Sequence, residues 1–103
     1  MNVVSKRTLR EFWESERRHL VAKGPLEAWH SEASAAEWKG PADIKEQYRN
    51  ASILKGGRVV FNIKGNDYRL IVDINYPAKR VFVCWVGTHE EYDDVDAETV
   101  KCI

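Results

Sequence analysis

The stretch that decides the fold is residues 62–76, NIKGNDYRLIVDINY. Apolar and polar residues alternate on both sides of Gly65-Asn66, which is the period of two typical of half-buried β-strands. A two-residue loop of this kind is typical of a tight turn between antiparallel strands. The stretch therefore predicts a β-hairpin in which Asn62 lies opposite Arg69.

This register assigns each side chain of the hairpin to a face, because side chains point alternately to the two sides of a sheet. One face is apolar and should be covered by helices. Arg69 stands on the other, open face with no acid opposite it, so we expect it to bind an anion such as phosphate. Arg58 falls opposite Asp73, which predicts an ordinary cross-strand ion pair. The apolar face holds Val59, Phe61, Ile63, Tyr68, Leu70, Val72 and Ile74, and the open face holds Arg58, Val60, Asn62, Lys64, Asp67, Arg69, Ile71 and Asp73.

The composition is that of an ordinary folded protein. The chain has 103 residues, of which 44% are hydrophobic and 31% charged, so residues 1–103 are expected to form one domain. We find no apolar run that could span a bilayer and no secretory signal, and we therefore expect a cytoplasmic protein without membrane contact. The two cysteines, Cys84 and Cys102, make no disulfide framework, and Cys84 is expected to be a buried, inert thiol.

Before residue 50 the apolar residues recur with a helical period. Residues 2–4 are expected to form a short edge strand, Ser5 to cap the first helix, and Pro41 to lie near the start of a short third helix. The pattern predicts an α+β fold of order β-α-α-(α)-β-β-β-β, in which two N-terminal helices cover one face of an antiparallel sheet. The first helix carries Leu9, Phe12 and Trp13 on one face, and the second carries Ala22, Leu26, Trp29 and Ala33.

Charge is unevenly distributed along a chain whose net charge is zero. Domains that bind nucleic acid are usually basic overall, so this total does not favour such binding. Runs of this length are usually solvated surface, and an anion-binding patch is the alternative interpretation of the basic one. The region from 49 to 66 contains Arg49, Lys55, Arg58 and Lys64 without an acid, and the region from 90 to 98 contains Glu90, Glu91, Asp93, Asp94, Asp96 and Glu98 without a base.

Residues 88–94, THEEYDD, hold the second polar group of interest. Thr88 and Glu91 match a capping box, which predicts a short C-terminal helix and explains both residues without a function. His89 has three interpretations: a solvated cap, a metal ligand that lacks a second histidine or cysteine nearby, or a catalytic group with Tyr92 at i+3. His19 and His30, on the predicted helices, are interpreted as surface or core-edge residues.

Several of these segments together resemble the HigB-type toxins of bacterial type II toxin–antitoxin systems, in the RelE/ParE superfamily. The resemblance is strongest in "FNI-x-GN-x-YRL" and "GTH-x-EYD", and "SKRTLREFWE", "PLEAWHSEAS" and "W-K-x-P-A-D-I-K" also match. It implies a RelE-like fold and ribosome-dependent cleavage of mRNA. It also implies inhibition by a helix-turn-helix antitoxin of the HigA type, through which alone the toxin would meet operator DNA.

The same resemblance implies the site residues. Arg69 corresponds to the arginine of the YRL strand, His89 to the histidine of the TH-x-EYD motif, and Tyr92 to its tyrosine. We expect a metal-independent reaction without cofactors, in which the RNA 2′-hydroxyl attacks the adjacent phosphate. Two alternatives stay open: a member that binds RNA or a partner without cleaving, and a gyrase-poisoning, ParE-like toxin. Residues expected to contact RNA or the ribosome are Arg49, Lys55, Arg58, Asn62, Lys64 and Asn66.

Overall fold

The computed structural model describes residues 1–102 as a five-stranded sheet with helices. The strands lie in the order β1-β5-β4-β3-β2, so the first and last strands of the chain are neighbours. The elements are β1 (Asn2–Val4), α1 (Lys6–Ser15), a 3₁₀ helix (Arg17–Ala22), α2 (Lys23–Ala35), α3 (Pro41–Gln47), β2 (Ser52–Ile53), a 3₁₀ turn (Lys55–Gly57), β3 (Arg58–Ile63), β4 (Tyr68–Asn75), β5 (Arg80–Thr88) and α4 (His89–Tyr92).

The sheet is mixed, which corrects the prediction of a purely antiparallel one. β2, β3, β4 and β5 pair antiparallel, as predicted, but β1 runs parallel to β5. The reason is the long connection: the chain leaves β1 through the helical half and returns to the same edge only with its last strand. Between the two predicted N-terminal helices lies the 3₁₀ helix Arg17–Ala22, which the helical period did not indicate.

The register of the central hairpin is confirmed. β3 and β4 pair with Asn62 opposite Arg69 and with Arg58 opposite Asp73. At the turn, the backbone N–H of Asp67 donates to the Lys64 carbonyl at 3.2 Å. Gly65 has φ 66°, a left-handed conformation that glycine adopts without steric cost.

The helices cover the predicted apolar face of the sheet. Trp29 of α2 packs edge-to-face on Phe61 of β3, with ring centroids 5.4 Å apart. All seven apolar residues assigned to that face are buried, and so are the residues of the α2 stripe. On α1, Leu9 and Trp13 are buried and Phe12 is partly buried against them. This core orients the hairpin, and with it the side chain of Arg69.

The other face of the sheet is not fully open. Val60 and Ile71 are 2% and 0% exposed, because they form a second apolar cluster with Ala97. We call residues 93–102 the C-terminal strap. Arg58 holds the strap in place, since its guanidinium donates to the Ala97 carbonyl at 3.0 Å. The expected open face is therefore restricted to the end of the hairpin that carries Arg69.

A disulfide joins Cys84 to Cys102, and this corrects the interpretation of Cys84 as a free thiol. The pairing of β4 with β5 is irregular at this point, because Ile71 lies opposite Trp85 and Val72 lies opposite Val83. Cys84 is thus the extra residue of a β-bulge. The strap brings Cys102 to this bulge, so the disulfide closes the strap onto the sheet.

Candidate functional site around Arg69

Arg69 lies near the start of β4, on the face left uncovered by the strap, and is held by the adjoining turn. Its Nη1 donates to the carbonyls of Asn66 and Tyr68 at 3.0 and 3.3 Å, and its Nη2 donates to the Asn66 side-chain oxygen at 2.7 Å. No acid within residues 1–102 forms an ion pair with it. The Nε–H and the second N–H of Nη2 therefore stay available to an anion.

Two aromatic side chains extend the site beside Arg69. The guanidinium carbon lies 5.8 Å from the ring centroid of Tyr92, within the range of a cation–π contact. The Tyr92 ring in turn lies 6.3 Å from that of Trp85, at an interplanar angle of 48°. Arg69 and Tyr92 were both predicted site residues, and the structure brings them together. Trp85 was left unassigned on the sequence, although its place in the last strand before THEEYDD was a usable signal.

Gly87 leaves space for the side chain of Trp85, which packs beside Tyr92. The glycine lies directly across from Arg69 on β5. A Cβ atom at this position would come within 2.5 Å of two atoms of the Trp85 ring and 3.0 Å of the Glu91 carboxylate. The Trp85 indole therefore lies over the glycine, and any larger residue would displace it. No motif in the sequence indicates this role, because it depends on which side chains pack against Gly87 in the folded sheet.

The capping box that begins α4 is confirmed. Thr88 Oγ1 accepts from the Glu91 backbone N–H at 3.1 Å, and the Glu91 carboxylate accepts from the Thr88 backbone N–H at 2.9 Å. The bond from the Thr88 backbone is the main cause that holds the pKa of Glu91 below its usual value. The charge of Arg18 acts in the same direction. The box ties α4 to the end of β5, close to Arg69.

His89 is the first residue of α4, as predicted. Its backbone N–H donates to the Asp67 carbonyl at 3.1 Å, which joins α4 to the hairpin turn. Its imidazole Nε2 lies 2.8 Å from the carboxylate of Glu90. When Nε2 carries the proton of a neutral ring, Nδ1 is left as an acceptor, which is the state a general base requires. The imidazole is exposed and able to reach a bound ligand.

The residues expected to contact RNA fall into different environments. Arg49 and Asn62 share a cleft of about 210 Å³ at the edge of β3, next to the hairpin turn. Asn66 is bonded to Arg69 and so belongs to the site itself. Lys64 is exposed and pairs with Asp67 at 3.0 Å, a contact of little energetic value at the surface.

Two other cations of the basic stretch face acids. The Arg58 side chain is only 12% exposed and pairs with Asp73 at 3.2 Å, as predicted. Lys55 shares a groove of about 410 Å³ with Asp96 and Glu98 of the strap. Part of the basic run therefore lies close to acidic side chains of the same molecule. Arg49 is the exposed cation that shares its cleft with Asn62 rather than with an acid.

Other features of residues 1–102 do not compete with this site. A groove of about 520 Å³ is lined by Trp38, Tyr76 and Lys79 at the opposite end of β4. Among residues 1–102, no group of three or more histidine, cysteine or acidic side chains is placed to hold a metal ion. None of the helices in this described part of the chain is long and apolar enough to cross a membrane.

Comparison with known protein families identifies a matching family model. The family model described as HigB_toxin, RelE-like toxic component of a toxin-antitoxin system, matches residues 22–95. The matched segment contains α2, the whole central hairpin and α4, and therefore every residue of the site described above. A search of curated proteins found no match.

Proposed function

Because the chain belongs to the HigB family of RelE-like toxic components of toxin–antitoxin systems, we propose that it is an mRNA endoribonuclease that acts on the ribosome and blocks translation. The observation that carries the proposal is the arrangement of Arg69, which the hairpin turn and Tyr92 hold on an uncovered part of the sheet. RelE-like toxins are generally endoribonucleases. An arginine with free N–H groups beside an aromatic ring suits a phosphate next to a base.

The proposed reaction uses the RNA itself as the nucleophile. The 2′-hydroxyl attacks the adjacent phosphorus as a base removes its proton, and the bond to the 5′-oxygen of the next nucleotide breaks as that oxygen takes up a proton. Negative charge accumulates on the phosphate oxygens in between. Arg69 would stabilise this charge with the N–H groups that the turn leaves available. No metal ion or cofactor enters the proposed reaction.

His89 is proposed to transfer the protons. Its contact with Glu90 orients the ring, and its exposure at the start of α4 allows an RNA strand to approach it. Tyr92 is proposed to stack on a base or to orient the phosphate, since its ring faces Arg69. Arg49, Asn62 and Asn66 would then contact the RNA backbone around the turn, with Lys55 and Lys64 as weaker contacts to the ribosome. Arg58 contributes by holding the strap.

Toxins of this family have an antitoxin partner. We propose that the partner of this chain is a helix-turn-helix protein of the HigA type, and that the toxin reaches operator DNA only through it. Ribosome and mRNA are the proposed targets, in the cytoplasm. The sparse set of catalytic groups supports dependence on the ribosome, because ribosomal RNA can position the substrate that this small surface does not enclose.

A binding-only toxin is a second candidate, and one observation favours it. The imidazole of His89 contacts Glu90, whereas the guanidinium of Arg69 contacts Asn66 and Tyr92. A toxin that binds its target without cleaving it would not need His89 and Arg69 to be aligned with each other. The ParE-like alternative, a gyrase poison, would likewise need neither group in contact with a phosphate.

Induced expression tests these candidates together. The proposed enzyme should stop growth and produce new mRNA 5′ ends inside reading frames, and purified protein should cleave mRNA on programmed ribosomes but leave the same protein-free RNA intact. Arrest without new 5′ ends would indicate binding only. Arrest with double-strand DNA breaks would indicate the gyrase poison. Rapid cleavage of protein-free RNA would contradict ribosome dependence.

A further inference from the structure

A groove with an acidic rim lies at the free part of the β5 edge. β1 pairs with only residues 80–82 of β5, so among residues 1–102 no strand lies beside the later part of that edge. The groove has a volume of about 440 Å³ and runs between the 3₁₀ helix, the end of α1 and the start of the strap. We call it the acidic groove, and the residues used below are Phe12, Glu16, His19, Trp85, Glu91 and Asp94.

Carboxylates supply the charge of the acidic groove. Asp94 forms no ion pair within residues 1–102, and the bonds of Glu91 to Thr88 leave its charge in place. Glu16 already accepts a hydrogen bond from the Nε of Arg18 at 2.6 Å, so its charge is partly compensated within the chain. Apart from His19, no basic side chain lines the groove, so an anion would be repelled from it.

His19 provides an independent sign of a missing partner. The residue was expected at the surface or at the edge of the core and is 4% exposed, and its Nε2 has no hydrogen-bond partner among residues 1–102. Phe12 stacks on the imidazole at 4.4 Å, and Ser15 lies 3.4 Å from Nδ1. A buried polar atom without a partner costs free energy, which a ligand with an N–H group would recover.

We propose that the acidic groove binds an arginine side chain of the antitoxin. Of the cationic side chains, arginine has the planar donor group that can stack on Trp85 while donating to Asp94, and it would lie beside the buried imidazole of His19, which also lines the groove. Lysine has no flat face for such stacking. The inference rests on the antitoxin part of the proposed function and is independent of RNA cleavage.

The acidic groove lies next to the aromatic pair of the site around Arg69. Trp85 lines the groove and also contacts Tyr92, which faces Arg69. A segment anchored in the groove would therefore lie against the aromatic pair of the site. Acidic residues of the run from 90 to 98 would thus recognise the partner, and the bound segment would not cover the side of the site that binds phosphate.

The test uses the full-length protein labelled with ¹⁵N and a small probe, Nα-acetyl-arginine methylamide. The matched control probe is the citrulline compound, which has the same shape without the charge. The arginine probe should shift the Trp85 indole and His19 resonances in a saturable way, and the citrulline probe should not. Equal shifts with both probes, or shifts confined to other parts of the protein, would overturn the proposal.

Substitutions make the test specific for the groove. Asp94→Asn should weaken binding of the arginine probe at least threefold, and Asp94→Lys should abolish the shifts. Asp93→Asn, in the neighbouring exposed acid that does not line the groove, should leave the affinity unchanged. If Asp94→Asn and Asp93→Asn weakened binding equally, the effect would come from the overall charge of the protein, and a specific site would be refuted. A dinucleotide probe that shifted the same resonances would also refute it, because the groove would then bind RNA.

Discussion

Replacement of Gly87 by alanine tests how the aromatic pair is arranged. The added Cβ would lie 2.5 Å from the Trp85 ring and 3.0 Å from a Glu91 carboxylate oxygen, where ordinary contacts begin at 3.4 Å. The indole must therefore move by roughly 1 Å to restore normal contact. This movement would change the packing of Trp85 against Tyr92, whose ring centroid lies 6.3 Å away.

The expected cost of Gly87→Ala follows from these distances. Insertion of a methyl group into a packed site costs about 1–3 kcal/mol, and alanine recovers about 0.5–1 kcal/mol of backbone entropy in a strand. The net loss of about 0–2.5 kcal/mol corresponds to a fall in Tm of at most roughly 10–20 °C. The larger effect should be on the site, because the displaced indole moves Tyr92 away from Arg69.

Thermal melting and the NMR signal of the Trp85 indole together measure this effect. The matched control is Gly24→Ala in α2, where a Cβ meets nothing within 4 Å, and it should keep or raise the Tm. Cleavage on programmed ribosomes should fall in Gly87→Ala and stay unchanged in Gly24→Ala. A Gly87→Ala protein whose indole signal and Tm match the wild type would refute the packing of Trp85 over the glycine.

Three further changes test the rest of the structure. Arg58→Ala leaves the Ala97 carbonyl and Asp73 unpaired and should lower the free energy of unfolding in urea by about 2 kcal/mol or more. Lys64→Ala, which removes an exposed ion pair, should lower it by less than about 1 kcal/mol. Equal losses in the two variants would contradict the buried role of Arg58. Because the pKa of Glu91 is lowered in the folded protein, its carboxylate adds stability above the unfolded pKa, and this stability is lost as the pH falls through the folded pKa. Glu91→Gln should therefore make the Tm fall less steeply below about pH 5. An unchanged dependence of Tm on pH would contradict the capping box. Cys102→Ser should lower the free energy of unfolding of the oxidised protein by about 2–4 kcal/mol, because the disulfide closes a loop between residues 18 apart; a variant as stable as the oxidised wild type would argue against the bond.

Local signals were sufficient to predict the central hairpin and its faces. The turn at Gly65-Asn66 and the alternation around it set the register, and the structure agrees residue by residue from Arg58 to Ile63. The capping box of α4 and the buried stripe of α2 were predicted for the same reason, since each depends on residues a few positions apart.

The features that the sequence did not predict depend on distant residues. The strap covers Val60 and Ile71 because residues 93–102 fold back over the sheet, and no periodicity in that short segment indicates where it lies. The disulfide follows from the same return of the chain. The pairing of β1 with β5 likewise joins residues that are far apart in the sequence.

The candidate site was predicted only in part. Arg69 and Tyr92 lie together, and His89 begins α4 as expected. The roles of Trp85 and Gly87 depend on which atoms meet across two strands, and a sequence pattern does not contain that information. The same is true of His19, whose burial depends on the 3₁₀ helix that places it against Phe12.

The measurement that tests the central claim most directly is single-turnover cleavage of mRNA on programmed ribosomes by Arg69→Ala. The proposed phosphate contact predicts a loss of about 2–4 kcal/mol of transition-state stabilisation, or roughly 30- to 1000-fold in rate, with partial recovery in Arg69→Lys. The Tm should stay close to that of the wild type, because the lost contacts are bonds to the exposed turn, one bond to the adjacent Tyr68 carbonyl and the contact with the Tyr92 ring, all outside the main core. Cleavage by Arg69→Ala at the wild-type rate would contradict the claim.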